Sequence, residues 1–238
     1  MAARLKASTE KRRAAKPPSR AEVDAVLATL GRLAKKQIRD ALGPRYGIHV
    51  QKAFGIAMSD LQTIAKSLGR SHEMAAALWD TGWYEARLLA AYVDEPERVT
   101  PAQMEAWAQD FDNWGICDTV CFVLFDRTPH AFAKVARWAL RRDEFVKRAA
   151  FALLACLALH DKKSGNEPFE ECLPLIEAAA QDDRNFVKKG VSWALRGIGR
   201  RNAVLNTAAV QMARRLAASP ERAPRWVGRD ALRQLLKK

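Results

Sequence analysis

Phe145-Val146-Lys147-Arg148-Ala149-Ala150-Phe151 returns further along the chain as Phe186-Val187-Lys188-Lys189-Gly190-Val191-Ser192-Trp193, and this repetition decides the fold. Each copy is an aromatic, two residues, a basic residue, then a run of small and apolar side chains. Trp226-Val227-Gly228-Arg229 closes the series at nearly the same interval. Tyr84-Glu85-Ala86-Arg87-Leu88-Leu89-Ala90 stands ahead of it, but the gap from Tyr84 to Phe145 is half as long again and so off the period. A helical repeat of about 40 residues marks an α-solenoid, because one helix pair cannot bury its apolar face until the next stacks on it. We therefore expect an all-α, HEAT-like solenoid, a curved superhelix of antiparallel helix pairs. Equivalent helices then share one concave face. The basic position of each copy forms a stripe there: Arg148, Lys189 and Arg229, with Lys188 and Arg196 close by.

Outward from these copies, the chain keeps helical period from Arg20 onward. Val23, Val26, Leu27, Leu30 and Leu33 follow the i, i+3, i+4 pattern. Gly43-Pro44 is expected to break that helix, Ser59-Asp60 to cap the next, and Thr100-Pro101 to start another with Thr as cap. Thr128-Pro129 is expected to cap a helix ending near Arg141-Arg142, and His160 to Pro168 to form a polar loop. No alternating stretch is long enough for a strand. Residues 1–19 are mostly Ala, Lys, Arg, Ser and Pro with little to bury. They read as a disordered basic arm, ahead of a single solenoid domain over 20–238.

Charge points to a polyanion. The chain carries 40 Lys+Arg against 27 Asp+Glu, a formal net charge of +13. The excess is uneven: residues 184–238 hold fourteen Lys/Arg against two acids, and 1–20 seven against one, which leaves the middle net acidic. Such asymmetry marks a face, and nucleic acid is the expected partner. The four cysteines (Cys117, Cys121, Cys156, Cys172) form no CxxC pair, and no histidine stands at zinc-ligand spacing, so they read as small apolar residues in a reducing compartment. No apolar run is long enough to span a membrane and no signal-peptide pattern is present, and we expect a soluble, cytoplasmic protein.

One stretch breaks the pattern. Asn113-Trp114-Gly115-Ile116-Cys117-Asp118 lies between repeats, and its helix puts an acid about where the copies put Arg or Lys. Trp114 and Asp118, at i and i+4, share a helix face. A π surface beside an anion suits a cation. A cation site inside a polyanion-binding chain is a local conflict of the kind that marks function. Trp79, Trp107 and Trp138 read as core, and His49, His72, His130 and His160 form no cluster.

At this point the sequence resembles the DNA alkylation repair family, the HEAT-like DNA glycosylases. The likeness runs over roughly residues 40–235. It rests on Trp114-Gly115-Ile116-Cys117-Asp118 for the family's Trp-x-x-x-Asp, and on Val146-Lys147-Arg148-Ala149-Ala150 for its Arg-Ala-Ala segment. It rests most specifically on Lys189-Gly190-Val191-Ser192-Trp193-Ala194-Leu195-Arg196 for its Lys-x-x-x-Trp-x-Leu-Arg segment, and more weakly on Tyr46 ahead of Gly55-Ile56.

The resemblance implies base excision repair, by hydrolysis of the N-glycosidic bond of cationic N3- or N7-alkylated purines in double-stranded DNA. It implies no metal and no organic cofactor, and we expect a monomer. An alkylated purine is already a good leaving group, so no general acid is needed. A carboxylate beside the oxocarbenium-like sugar would stabilise its charge and orient water. By resemblance Asp118 takes that part, with Trp114 and Trp193 flanking the sugar and base and Tyr46 completing the wall. Arg148 would hold a phosphate, Lys189 a second, with Lys147, Lys188 and Arg196 along the DNA. Gly115 departs from the pattern, standing where the family's best-known member has a second acid. The alternative is a non-catalytic DNA-binding protein of the same fold that recognises damaged or branched DNA. A third class is a protein-interaction solenoid. A helix-hairpin-helix glycosylase is excluded, since no Gly-rich hairpin precedes an Asp.

Overall fold

The helices begin where the sequence supplies oxygen for their free N–H groups. Ser19 accepts from the Glu22 amide while Glu22 reaches back, a reciprocal cap. Ser71, Thr100, Asn113 and Asn202 cap in the same way from one side. The computed structural model describes residues 16–237. Its helices are α1 (Arg20–Arg32), α2 (Lys36–Tyr46), α3 (Met58–Leu68), α4 (His72–Asp80), α5 (Tyr84–Val93), α6 (Pro101–Gln109) and α7 (Trp114–Val123). After a 3₁₀ turn come α8 (Ala131–Trp138), α9 (Glu144–His160), α10 (Glu167–Glu171), α11 (Leu173–Ala179), α12 (Asn185–Gly199), α13 (Ala203–Ala217) and α14 (Arg222–Leu235). No strand occurs among the described residues. None of their helices is long and apolar enough to cross a membrane. Of the arm expected over 1–19, residues 1–15 lie outside the described residues.

The helices stack as two rows. In one row α3, α5, α7, α9, α12 and α14 each pack on the next. Behind it, α4 packs on α5, α6 and α8 on α9, α11 on α12, and α13 on α12 and α14. This is the expected all-α solenoid. Its interior is one connected cluster of buried side chains from Val26 to Ala231. Trp79 and Trp107 stack at 4.0 Å between α4 and α6, and Phe125 bridges Trp107 to Trp138. All three tryptophans are buried, as their spacing predicts, and so are the four free cysteines.

Four local expectations are corrected. The expected break at Gly43-Pro44 does not end the helix of Val23 to Leu33, which is α1 and ends at Arg32; Gly43-Pro44 falls inside α2, which runs on to Tyr46. Pro44 lies in the last turn, and both it and Asp40, whose carbonyl loses its partner, are exposed to water. The helix stops instead at Gly47, in the left-handed region (φ 64°), where the Gly47 and Ile48 amides close onto the Gly43 and Leu42 carbonyls. At α3 the cap position is Ala57, and Asp60 falls in the first turn. Thr128 does not cap α8: it closes the 3₁₀ turn by donating its hydroxyl to the Phe125 carbonyl, and α8 ends at Trp138. The fourth correction concerns the repeat. Trp114 opens α7 as Tyr84 opens α5, and it stands almost midway between Tyr84 and Phe145. The off-period interval therefore contains one more unit. The Trp114 motif is itself a repeat helix and does not lie between repeats, and Cys117 takes its basic position, with Asp118 one residue beyond.

Candidate active site

The start of α7 is set from two sides. Asn113 Oδ1 accepts from the Ile116 amide at 3.0 Å, which fixes the first turn. The Trp114 indole N–H donates to the Tyr46 carbonyl at 2.8 Å, so the turn at Gly47 holds the ring in place. Tyr46 therefore contributes backbone to the site, while its ring is exposed with the Arg45 guanidinium over it.

Asp118 meets the next helix. Arg148 on α9 grips it with two N–H groups, Nε to Oδ1 at 2.8 Å and Nη2 to Oδ2 at 2.7 Å. A third, on Nη1, donates to the Phe186 carbonyl at 2.7 Å. That last bond needs α12 to lie close against α9. Gly190 lies at that contact, where a Cβ would meet the Arg148 carbonyl at 3.5 Å, an ordinary van der Waals distance. Arg148 is thus 8% exposed and Asp118 19%. Burial pushes the Asp118 carboxyl above its ordinary range, and the Arg148 guanidinium opposes that push. The two-pronged pair leaves each carboxylate oxygen a lone pair, so Asp118 can still accept from water.

Gly115 has a physical reason. A Cβ on it would lie 2.5 Å from the Tyr84 hydroxyl and 3.1 Å from both Ile48 and Asn113. The phenol of α5 fills the space where a second acid would stand. Burial holds the Tyr84 hydroxyl firmly protonated.

The other expected residues divide. Lys189 is exposed and has no carboxylate partner among the described residues. Lys188 lies over the Trp226 ring at 5.4 Å. Lys147 is tied to Asp182 at 3.1 Å. Arg196 is half-buried, donates to the Ser192 carbonyl and stands 3.9 Å from Asp230. Lys147 and Arg196 thus each stand beside an acid of the array itself. Trp193 is half-buried against the core, and among the described residues no hydrogen bond or ring contact joins it to Trp114. Sequence reasoning missed the loop after α2. A cavity of about 720 Å³ is lined there by Arg39, His49, Gln51 and Trp83, and one of about 360 Å³ beside it by Lys52, Tyr84, Arg87 and Asp112. Tyr84 and Arg87 were within reach, being the aromatic and basic positions of the first copy. Among the described residues no cluster of three or more His, Cys, Asp or Glu could hold a metal.

The family model described as DNA alkylation repair enzyme matches residues 26–235. The chain belongs to the DNA alkylation repair family. Among solved structures it is similar to a protein of "a new family of proteins related to the HEAT-like repeat DNA glycosylases with affinity for branched DNA structures", at 18% identity and a TM-score of 0.73 over 90% of this chain and 95% of that one. A designed armadillo repeat protein aligns at 14% identity and a TM-score of 0.36, over 92% of this chain and 95% of its own. The chain matches no curated protein. Within the family's fold, the array offers a pinned indole and, one turn on, a carboxylate locked by an arginine. That pair can bind and stabilise a cation against a helix face.

Proposed function

We propose that this member of the family is a DNA glycosylase that removes cationic N3- and N7-alkylated purines from duplex DNA. The observation that carries the proposal is the locked pair: Trp114 and Asp118 on one face of α7, the first held by the Tyr46 carbonyl and the second by Arg148. Preorganised charge of this kind lowers a barrier because it need not be assembled during the reaction. The C1′–N bond breaks, its electron pair moves to the purine and cancels the base's charge, and the sugar becomes oxocarbenium-like. Asp118 stabilises that sugar and orients the water whose oxygen bonds C1′, and the water's proton passes by way of the carboxylate to solvent. Trp114 and Trp193 face the sugar and base. Arg148 favours the charged form of Asp118 and aims it and, with two N–H groups still free, reaches a flanking phosphate. Lys189 holds a second. Residues 20–238 act as one cytoplasmic, monomeric unit.

A second reading has its own support. With Tyr84 filling the place of a second acid, the site is less anionic than a two-acid site, and the solved relative is described by its affinity for branched DNA. The same geometry would then bind damaged or branched DNA without cleaving it. Release of 7-methylguanine and 3-methyladenine from methylated duplex DNA separates the two. Wild type is expected to release both, and Asp118→Asn to be slower by on the order of 10²-fold or more while still binding DNA. Salt-sensitive binding without release by wild type establishes the second reading instead.

A further inference from the structure

The motif at α7 has a counterpart at the far end of the array. Trp226-Val227-Gly228-Arg229-Asp230 on α14 repeats the Trp-x-x-x-Asp spacing in the same repeat register. Here the carboxylate is fully engaged. Asp230 accepts from the Ser192 hydroxyl at 2.6 Å, pairs with Arg233, and lies 3.9 Å from Arg196. What remains is the aromatic and its surroundings. Arg222, Arg225, Trp226, Arg229 and Arg233 fall at i, i+3, i+4, i+7 and i+11, on one face of α14, while Ala223, Val227 and Ala231 are buried on the other. Neither Arg222 nor Arg229 has a carboxylate partner among the described residues, and Arg225 bonds only backbone carbonyls. The indole stands between two cavities of about 340 and 320 Å³. Arg222 lines both, Arg229 and Arg233 the first, and Lys188 and Asp183 the second.

We propose that Trp226 and these arginines form a second nucleic-acid site, which takes an unpaired nucleotide. Trp226 is the repeat's aromatic position and packs partly against the core, but the rest of its ring stands open between the two cavities and among the arginines; the bases of an intact duplex cannot offer that ring a π face, because their neighbours cover both sides. An unpaired base can stack on the indole while its flanking phosphates meet Arg222 and Arg229, the usual composition of a single-strand site. Lys188 over the ring links this site to α12, whose Phe186 carbonyl holds Arg148. The inference rests on the DNA-binding reading above.

Binding of a blunt duplex is compared by fluorescence anisotropy with the same duplex carrying a short single-stranded thymidine tail, and with a tail of abasic residues. The thymidine tail is expected to tighten binding on the order of 10-fold, and the abasic tail, which keeps the phosphates, much less. Trp226→Ala removes the tail's advantage and leaves blunt-duplex binding in place, Trp226→Phe keeps most of it, and Arg222→Glu/Arg229→Glu weakens the tailed form more than the blunt one. Equal binding of all three DNAs by wild type overturns the proposal, and needs no variant to fold. So does a Trp226→Ala protein that keeps the tail's advantage, or poly-glutamate displacing the tailed duplex as well as a DNA competitor does. No binding of any DNA at low salt sinks the DNA-binding reading itself.

Discussion

At the scale of the residue, the site is built from pairs that explain each other. Asp118 would be a costly buried charge without Arg148, and Arg148 would be one without Asp118 and the Phe186 carbonyl. Their association could not be read from the sequence. Both residues stood out individually, but nothing local joins two positions on different helices with a loop and a third helix between them. Gly115 is the sharper case, for its meaning depends on Tyr84, which no spacing rule connects to it. Because the Tyr84 hydroxyl fills that space, Gly115→Ala is expected to destabilise by about 1–3 kcal/mol through overpacking. Tyr84→Phe in the same chain then recovers part of the loss, since it removes the nearest atom and leaves Ile48 and Asn113 in place. Urea unfolding of the two single variants and the double checks this. Strict additivity refutes the packing argument, and so does a Gly115→Ala protein within about 0.5 kcal/mol of wild type, the usual spread of harmless changes.

At the scale of the element, helices were legible because their apolar period is set by the core they cover, and α9, α12 and α14 declare it most plainly. The unit at α7 was hidden because the successive aromatics Tyr84, Trp114, Phe145, Phe186 and Trp226 are unevenly spaced, and the shorter interval occurs only toward the N-terminal end. The register between α9 and α12, which puts Arg148 against the Phe186 carbonyl, is held by a clamp ahead of α12. Asp182 accepts from Lys147 of α9 at 3.1 Å and from Arg184 at 2.6 and 2.8 Å, while Arg184 also donates to the Arg142 carbonyl. Arg184 first, then Lys147, lowers the Asp182 carboxyl from 3.8 to about 2. A carboxyl depressed on folding adds stability above its unfolded value and loses it as pH falls through the folded one. Asp182→Asn should therefore cost about 1–2 kcal/mol at pH 7. Its deficit against wild type should close between pH 4 and 2, because there the wild-type carboxyl takes up its proton as well. Denaturant titrations of both proteins across that range test it, and a deficit that stays constant with pH would assign the loss to packing.

At the scale of the whole molecule, the basic excess of the sequence overstates the cationic surface, because the array uses part of it internally. Residues 184–238 carry fourteen Lys/Arg against two acids, yet Arg184, Arg196 and Arg233 serve Asp182 and Asp230, and Arg201 binds the carbonyls at the end of α9. Charge counts alone cannot separate these uses, since partner and phosphate draw on the same side chains. Salt dependence can. Each phosphate met by a free cation releases counterions and adds about 0.9 to the slope of log affinity against log salt. Lys189 is exposed without a carboxylate partner among the described residues, so Lys189→Ala should lower that slope by about 0.9 if it meets a phosphate. Lys147, one helix away and equally basic in sequence, is already neutralised by Asp182, so Lys147→Ala should leave the slope unchanged at a modest loss of stability. Anisotropy titrations of one duplex at four or five salt concentrations give both slopes. If the two lysines change the slope alike, the Lys147–Asp182 pair opens when DNA binds, and the division of the basic residues into structural and free ones does not hold.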